Sequence, residues 1–420
     1  MNDPAHTSEE LCNIGLFEAA GIELEYMIVD SMNLDVLPIC DSVLHEISGT
    51  YENEVYPDGE SGFSAWSNEL ALHVIEFKSL KPVTDLNNTG GLFQKEVSYT
   101  NSILKKYNAR LLPTAMHPWM NPEREFKIWP HGNREIYNTF DRIFGCRGHG
   151  WSNLQSMHIN LPFMNNDEFV KLHTAIRILL PMINALSASS PFIEGRFSGF
   201  YDTRVEVYRT KSIIIPSITG KIIPEPVTGI DDYRDRILNR IYSDLEKYDP
   251  ERIISYEWVN ARGCIARFER GTIEIRTSDI QECPGADIAC ARLIIEVLKK
   301  LVNEDISSFE EQINADTESL YKILISVITN GTSAVIDDTG FLRIFGLKNR
   351  CSAAEFWEKM AELYFSDSGE DSIFLSNIFK HGNLSERILR SAGKIPSKKQ
   401  LFSVYNNLSL CLSEGIQYIP

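Results

Sequence analysis

Acidic side chains recur at strand-like spacing in three short segments of the sequence, residues 21–26, 68–76 and 271–276. In the first segment, GIELEY, Glu23 and Glu25 are two residues apart. Because successive side chains of a β-strand point to opposite faces, both carboxylates lie on one face of the predicted strand. Carboxylates gathered on one face repel one another unless a positive charge lies among them. A hard divalent cation with oxygen ligands, above all Mg²⁺, provides that charge and commonly accompanies nucleotide phosphates.

The other two acidic segments extend this pattern. In the third segment, GTIEIR, Glu274 shares its face with Thr272 and Arg276. In the second segment Glu69 and Glu76 are seven residues apart, so a regular strand sends them to opposite faces. Either a bulge resets the register, or Glu69 precedes the strand, or only one of the two reaches the site.

A fourth alternating segment adds an imidazole and an amide. Residues 155–163 read QSMHINLPF, so Ser156, His158 and Asn160 share one face of the predicted strand. Taken singly, alternating glutamates are most often solvated and paired with Lys or Arg across a sheet. A single histidine is often no more than a hydrogen-bonded core residue. The four segments together favour a metal–nucleotide site on a sheet.

The composition excludes several classes of partner. The 420 residues include 41 Lys and Arg against 58 Asp and Glu, a net charge of −17, with no basic run. This balance disfavours a nucleic-acid surface or docking on anionic membranes. The N-terminal residues show no signal-peptide pattern, charges interrupt the apolar stretches, and the eight cysteines are scattered without a CxxC pair. We therefore expect a cytoplasmic protein with reduced thiols, no structural zinc and no membrane span.

Hydrophobic spacing, capping residues and turn residues indicate the elements that position these side chains. They predict a strand over 69–77, a helix over 88–108, a buried strand over 110–115, a long helix over 167–186 and a hairpin over 264–277. From Pro284 onwards the pattern changes to amphipathic helices. We therefore predict a catalytic region over residues 1–284 and a helical section over 285–420 that packs on the same domain.

The segment LSASSPFIEGRFSG, residues 186–199, is followed by Asp202 and Arg204. Together with GIELE at 21–25, the acidic segment at 68–76, MHIN at 157–160 and the closing acidic strand at 271–279, it resembles the glutamate–cysteine ligase type 2 family, which includes the carboxylate–amine ligases. Five segments in the same order make a chance similarity improbable. The segment KHGNLSER at 380–387 is similar to a C-terminal motif of the family.

The resemblance implies an α+β fold like that of glutamine synthetase: a curved antiparallel sheet with the active site on its concave face, backed by helices, plus the helical C-terminal section. It implies ATP and Mg²⁺ as cofactors, phosphorylation of a carboxylate, and attack of an amine on the acyl phosphate. The positions it implies for metal ligands are Glu23, Glu25, Glu69, Glu76, His158 and Glu274. Those implied for cofactor binding are Glu25, His158, Asn160 and Glu274, and those for holding phosphate or a substrate carboxylate are Arg196, Arg204 and Arg276. The alternative for Arg196 and Arg204 is a structural role as counter-ions of the acidic sheet.

Two other functions stay open at this point. A kinase-like phosphotransferase of the same superfamily would leave the phosphate on its product, whereas a ligase releases ADP and free phosphate. A non-catalytic member would bind a nucleotide or metabolite only, although the retained carboxylates argue against it. The expected partners are small-molecule carboxylate and amine substrates, with amino acids first, and a homo-oligomer is open. Residues 117–151, rich in Trp, His and Arg, are a candidate cover for the site.

Overall fold

A computed structural model describes residues 14–366 and 369–420 of the chain. Cys12 and the N-terminal pattern discussed above lie outside the described residues. The strands are β1 (Gly21–Asp30), β2 (Glu54–Val55), β3 (Ser64–Asn68), β4 (Val74–Ser79), β5 (Ala109–Leu112), β6 (Ser156–Pro162), β7 (Phe192–Ile193), β8 (Arg196–Phe197), β9 (Cys264–Arg267), β10 (Thr272–Asp279), β11 (Val335–Ile336) and β12 (Cys351–Ser352).

The α-helices carry most of the remaining chain. They are α1 (Cys40–Ser48), α2 (Thr89–Leu104), α3 (Pro122–Glu125), α4 (Arg134–Phe144), α5 (His149–Ser152), α6 (Asn166–Ser187), α7 (Thr203–Thr210), α8 (Ile230–Tyr233), α9 (Asn239–Leu245), α10 (Pro284–Val302), α11 (Phe309–Ile313), α12 (Thr317–Asn330), α13 (Thr339–Ile344), α14 (Ala353–Tyr364), α15 (Glu370–His381), α16 (Leu384–Ala392) and α17 (Lys398–Glu414).

The main sheet has the order β2-β3-β4-β1-β6-β10-β9, with β5 paired to β1 as well. All of its pairs are antiparallel. Strand β1 is central, and its Ile22, Leu24 and Tyr26 are fully buried. The opposite face of the same strand carries Glu23 and Glu25. The apolar face therefore fixes the register, since a one-residue slip would move the glutamates into the core.

The second acidic segment forms a hairpin and not one strand, so the predicted strand over residues 69–77 is wrong. Strand β3 ends at Asn68 and β4 begins at Val74, with Glu69 in the connection between them. The seven-residue spacing of Glu69 and Glu76 therefore places no constraint on their faces. Of the alternatives drawn from the sequence, the structure shows that Glu69 precedes its strand.

Helix α6 is the long buried helix of the fold. The side chain of Asn165 caps it by accepting a hydrogen bond of 3.0 Å from the Glu168 amide. By length and composition it could cross a membrane, contrary to the expectation from the sequence, but 94% of its apolar stretch is buried inside the fold. It packs against β10, α10 and α12, as a core helix does.

The C-terminal helices share the core of the sheet. Helix α10 packs against α2, α6 and α15, and one cluster of buried side chains runs from Ile22 of β1 to Ile378 of α15. Helices against a mainly antiparallel sheet make this the α+β arrangement predicted from the sequence. The division between residues 284 and 285 stays a prediction.

A buried ion pair ties the C-terminal helices to the end of β10. Arg387 of α16 bonds to Glu282, and both side chains are fully buried. The guanidinium also donates to the Tyr418 carbonyl at 2.7 Å. Because Glu282 lies three residues after β10, the pair connects the final helices to the strand that carries Glu274.

We expect Arg387→Met to destabilise the protein by about 3–5 kcal/mol, because it leaves the Glu282 charge buried without a partner. The double variant Arg387→Met/Glu282→Gln should recover part of that loss in urea unfolding. Lys359→Met, which breaks an exposed ion pair of 2.8 Å with Glu362, is the control and should change stability by less than about 1 kcal/mol. Equally small effects of all three variants would contradict a stabilising role of the Arg387–Glu282 ion pair.

Candidate active site

Strand pairing brings the predicted acidic residues together on one face of the sheet. Glu25 of β1 lies opposite Glu76 of β4, and Glu23 lies opposite His158 of β6. On the next strand pair, Glu274 of β10 lies opposite Asn160. All of these side chains are buried.

Glu23 and His158 form the centre of the face. The Nδ1 atom of His158 lies 2.8 Å from Oε2 of Glu23, and the Asn160 amide donates to Oε1 of Glu23 at 3.2 Å. Burial disfavours the ionised carboxyl, but the hydrogen bond and charge of His158, with Lys78, hold the pKa of Glu23 well below its ordinary value. Burial also opposes a charged imidazole, yet the surrounding glutamates raise the pKa of His158 to about 9.

Glu25 is held by the first residue of β6. Its Oε2 accepts hydrogen bonds from the Ser156 amide at 2.7 Å and from the Ser156 hydroxyl at 3.0 Å. The same hydroxyl lies 2.9 Å from Nε2 of His158. Ser156 therefore fixes the position of both Glu25 and His158.

Glu69 and Glu76 carry negative charge that the fold does not fully compensate. Burial and the charges of Glu23 and Glu25 raise the pKa of Glu76 to about 7, although Ser67 donates a hydrogen bond of 2.6 Å to it. Burial, Glu25 and Glu76 raise the pKa of Glu69 well above its ordinary value. A cation at this position would relieve the repulsion.

Two groups of side chains fit a metal ion. Glu23, Glu76 and His158 form one group and Glu25, Glu69 and Glu76 the other, with candidate ligand atoms that lie within 4.8 Å of one another in each group. The donors are carboxylate oxygens with one imidazole, a set that suits Mg²⁺ or a similar hard cation. The Oδ1 atom of Asn160 is buried without a hydrogen-bond partner beside them. These observations fit the ligand roles proposed from the sequence, which stay predictions.

Glu274 lies at the edge of this face but outside both groups. Its Oε2 accepts from Arg267 at 2.9 Å, and its Oε1 accepts from Arg276 at 2.8 Å. Burial favours the neutral acid, but the two guanidinium groups lower the pKa of Glu274. The structure thus brings Glu274 to the face, with Oε1 lying 3.9 Å from Nδ1 of His158, and its metal-ligand role stays a prediction.

For Arg204 the geometry favours the alternative of a structural counter-ion over the clamp. The Arg204 side chain is 2% exposed, its Nε lies 3.0 Å from Asp279, and its Nη2 donates to the carbonyls of Arg276 and Ser278 at 2.8 and 2.9 Å. These bonds join α7 to β10. Arg204 is therefore buried as a counter-ion of Asp279 and bonded to the backbone of β10.

Arg196 lies away from the carboxylates. Its side chain is 76% exposed, and its Nη2 lies 3.8 Å from Oε2 of Glu194, which is on the same turn. Arg276 differs from both other arginines, because it lies on β10 and bonds to Glu274 on the carboxylate face. Of the three predicted arginines, the structure brings only Arg276 to the site.

Part of the predicted cover reaches the site. The hydroxyl of Tyr137, on α4, accepts a hydrogen bond of 3.0 Å from Asn68, and burial together with Glu69 raises its pKa. His117 is instead a core residue that bonds to the Leu34 carbonyl at 2.7 Å. His131 pairs with Asp41 at 3.0 Å. Helix α4 is thus one part of residues 117–151 that lies near the carboxylates.

A separate cavity of about 520 Å³ lies among the C-terminal helices. Trp357, His381 and Arg390 are among its lining residues, and none of the lining residues belongs to a strand. It is therefore distinct from the carboxylate face.

The model of the glutamate–cysteine ligase family 2 matches residues 19–363. The chain belongs to this family. An uncharacterized protein of Archaeoglobus fulgidus is 33% identical over 95% of this chain and 100% of its own length. A protein of Herpetosiphon aurantiacus, whose name marks it as a provisional glutamate–cysteine ligase 2, is 23% identical over 88% of each chain. Membership confirms the resemblance drawn from the sequence and supports a carboxylate–amine ligase as the class of enzyme.

Solved structures confirm the fold class of this family 2 member. Glutamate–cysteine ligase from Francisella tularensis, crystallised with AMP, superimposes with a TM-score of 0.58 at 11% identity, over 93% of this chain and 88% of that one. A bifunctional glutathione synthetase from Pasteurella multocida has the same TM-score at 12% identity, over 95% of this chain and 53% of that one. At these identities the likeness concerns the fold alone.

The sequence left several residues of the face unassigned. Lys78 follows Glu76 by two residues on β4, lies 3.8 Å from it and also pairs with Glu54. Strand alternation could have placed Lys78 on this face. Arg267 could be found only through the register of the β9–β10 hairpin, and Tyr137 carries no signal in the sequence.

We expect Glu76→Gln to stabilise the metal-free protein at pH 8 but not at pH 5. The folded pKa of Glu76, about 7, lies above its ordinary value of 4.5. Its ionisation therefore destabilises the fold as pH rises between these values, by about 3 kcal/mol when complete. The melting temperature in EDTA should rise by about 3 °C at pH 8. The exposed Glu246→Gln is the charge-matched control, and an equal gain at both pH values would contradict the repulsion.

Arg204→Lys should lower stability by about 2–4 kcal/mol, because an ammonium group cannot bond to Asp279 and two carbonyls with the geometry of a guanidinium. Arg196→Lys makes the same substitution at an exposed ion pair and should change stability by less than about 1 kcal/mol. Urea unfolding of both variants measures the difference. Lost activity with unchanged stability in Arg204→Lys would restore its role as a clamp.

Proposed function

We propose that the protein is an ATP- and Mg²⁺-dependent ligase that joins a carboxylate to an amine through an acyl phosphate. The observation that carries the proposal is the pair of candidate metal-binding clusters that share Glu76. Beside them, Arg276 on β10 presents a guanidinium. Phosphoryl transfer requires cations around the phosphate oxygens and little covalent chemistry from the protein. The face supplies that combination.

In this proposal Glu23, Glu76 and His158 hold one Mg²⁺, and Glu25 and Glu69 hold a second with Glu76. Bound Mg²⁺ would neutralise phosphate charge and orient the phosphate oxygens. His158 must lose its proton to serve as a ligand. Since the glutamates raise its pKa to about 9, metal affinity should increase with pH.

The residues of β10 would bind and orient the reactants. Arg276 bonds to Glu274 through Nε and Nη2, and the guanidinium has further N–H donors for an anionic oxygen. Glu274 holds Arg276 and Arg267 in fixed positions. We assign Asn160, next to Glu23, to cofactor binding through its unpartnered Oδ1.

The cysteines give no support to a covalent route. Burial raises the pKa of Cys40 and of Cys283 well above the ordinary thiol value, which disfavours a thiolate. An acyl phosphate needs protection from water, and α4, through Tyr137, is the element placed to exclude it. The amine substrate itself would be the nucleophile.

Amino acids are the substrate class that we propose. The Herpetosiphon relative carries the name glutamate–cysteine ligase 2, and the structural neighbour from Francisella tularensis was crystallised with AMP. Glutamate and cysteine are therefore the first pair to test. The cytoplasmic location stays a prediction.

The test is a screen of amino-acid pairs with ATP and Mg²⁺, with phosphate release and product mass measured together. We expect ADP, free phosphate and an amide in equal amounts, with little phosphate until the amine is added. ADP without free phosphate, with a phosphorylated small molecule, would establish a kinase instead. No turnover with any pair would favour a binding protein.

Glu25→Gln should lower turnover by at least about 100-fold or shift the Mg²⁺ requirement upwards, because an amide is a poor ligand for a hard cation. Glu25 accepts two hydrogen bonds from Ser156, so circular dichroism and the melting temperature should be recorded to show that the fold is retained. Glu46→Gln alters an exposed carboxylate that pairs with Lys106 and should leave activity unchanged. Wild-type Mg²⁺ dependence in Glu25→Gln would exclude the assigned site.

A further inference from the structure

Helix α7 directs a stripe of polar side chains at β10. Arg204 and Tyr208 belong to α7, and Lys211 is the first residue after it. Because they are at positions i, i+4 and i+7, the three side chains lie on one face. Arg204 bonds to the carbonyls of Arg276 and Ser278 on β10. The stripe therefore faces the strand edge that carries Arg276.

The amine of Lys211 is held in place by aromatic rings. Its Nζ lies 3.7 Å from the ring centre of Tyr208 and 4.4 Å from that of Trp151. The indole Nε1 of Trp151 donates to the Lys211 carbonyl at 3.2 Å. A Cβ at Gly150 would lie 2.7 Å from the Lys211 Cβ, so α5 packs directly on this residue.

The charge of Lys211 has no carboxylate partner. Within residues 14–366 and 369–420, no carboxylate oxygen lies within 4.0 Å of its Nζ, whereas Lys78 pairs with both Glu54 and Glu76. The charged groups that act on Lys211 are Arg276 from β10, Arg204 from its own stripe, Glu25 from β1 and Cys146 before α5. Burial and the two arginines lower the pKa of Lys211 well below its ordinary value.

Arg276 is already paired with Glu274, whereas the ammonium group of Lys211 has no carboxylate partner among the described residues. Like charges that lie close together repel one another. An anion bound between Lys211 and Arg276 would relieve that repulsion. Glu25, which also acts on Lys211, belongs to the group of carboxylates that fits a metal ion. An anion here would lie between that group and two cations, which is the arrangement that a phosphate chain requires.

We propose that Lys211, together with Arg276, binds the terminal phosphates of the nucleotide. This inference rests on the proposed function, because it names a residue that holds ATP in the same site. Arg204 is directed at Asp279 and at two carbonyls of β10, so we assign Lys211 as the second cation of the site.

The experiment is isothermal titration of the full chain with AMP-PNP and MgCl₂, and with AMP as the ligand that lacks the terminal phosphates. Lys211→Met should weaken AMP-PNP binding by about 10- to 100-fold and AMP binding by less than about 3-fold. The control is Lys247→Met, which removes a surface lysine stacked 4.6 Å from the Tyr248 ring. It should change neither affinity.

Proton uptake gives a second measurement that a structural role would not change. An anion raises the pKa of Lys211, so AMP-PNP binding at pH 8 should take up a proton, seen by titration in buffers of different ionisation enthalpy. Lys211→Arg should keep the affinity within about 5-fold but lose the uptake assigned to Lys211, because arginine is already charged. This variant also serves if Lys211→Met does not fold.

The outcomes separate the two proposals. If the wild type binds AMP-PNP and both Lys211 variants keep wild-type affinity and proton uptake, the inference is wrong while the proposed function stands. Equal losses of AMP and AMP-PNP binding in Lys211→Met would likewise overturn it, since the terminal phosphates would not be the group concerned. If the wild type binds no AMP-PNP with Mg²⁺, the nucleotide is excluded and both proposals fail.

Discussion

The mutual repulsion of the buried carboxylates is the constraint on which the rest of the site depends. Glu23, Glu25 and Glu76 lie on one face of adjacent strands, and Glu69 joins them from the β3–β4 connection. Such a face is unfavourable in the absence of compensating charge. His158 compensates the charge of Glu23, and two arginines compensate that of Glu274. The pKa values of both acids are lowered for this reason. It leaves Glu69 and Glu76 with raised pKa values. The uncompensated part of the face is the part that fits a bound cation.

The opposite face of the sheet makes this arrangement sustainable. Ile22, Leu24 and Tyr26 are fully buried on β1, so the hydrophobic core holds the strand in one register against the repulsion on the other face. A slip by one residue would bury the glutamates among apolar side chains, which costs far more than the repulsion itself. The stability of the core thus maintains a charged site that is unfavourable in itself, as binding sites often are.

Strand alternation is a local property, so the sequence predicted much of the face. Glu23 and Glu25 share a face because they are two residues apart, and the same argument placed Ser156, His158 and Asn160 together. The hairpin at 264–277 and the cap at Asn165 also follow from local signals. The connection at Glu69 was missed, because a turn between two strands of similar composition leaves little trace in alternation. The partners of the arginines were missed because they depend on contacts between distant segments, such as Arg204 with Asp279.

Helix α7 shows why residue type alone did not identify the cations of the site. Arg204 and Lys211 lie on the same stripe, two turns apart, and both lie near β10. The guanidinium of Arg204 has enough donors to bond to two carbonyls and Asp279, so it serves the junction of α7 and β10. The amine of Lys211 has rings on two sides and no carboxylate within 4.0 Å among the residues that the structure describes. Arg204, paired with Asp279, stabilises the fold, whereas Lys211, which lacks a carboxylate partner among the described residues, can act on a ligand.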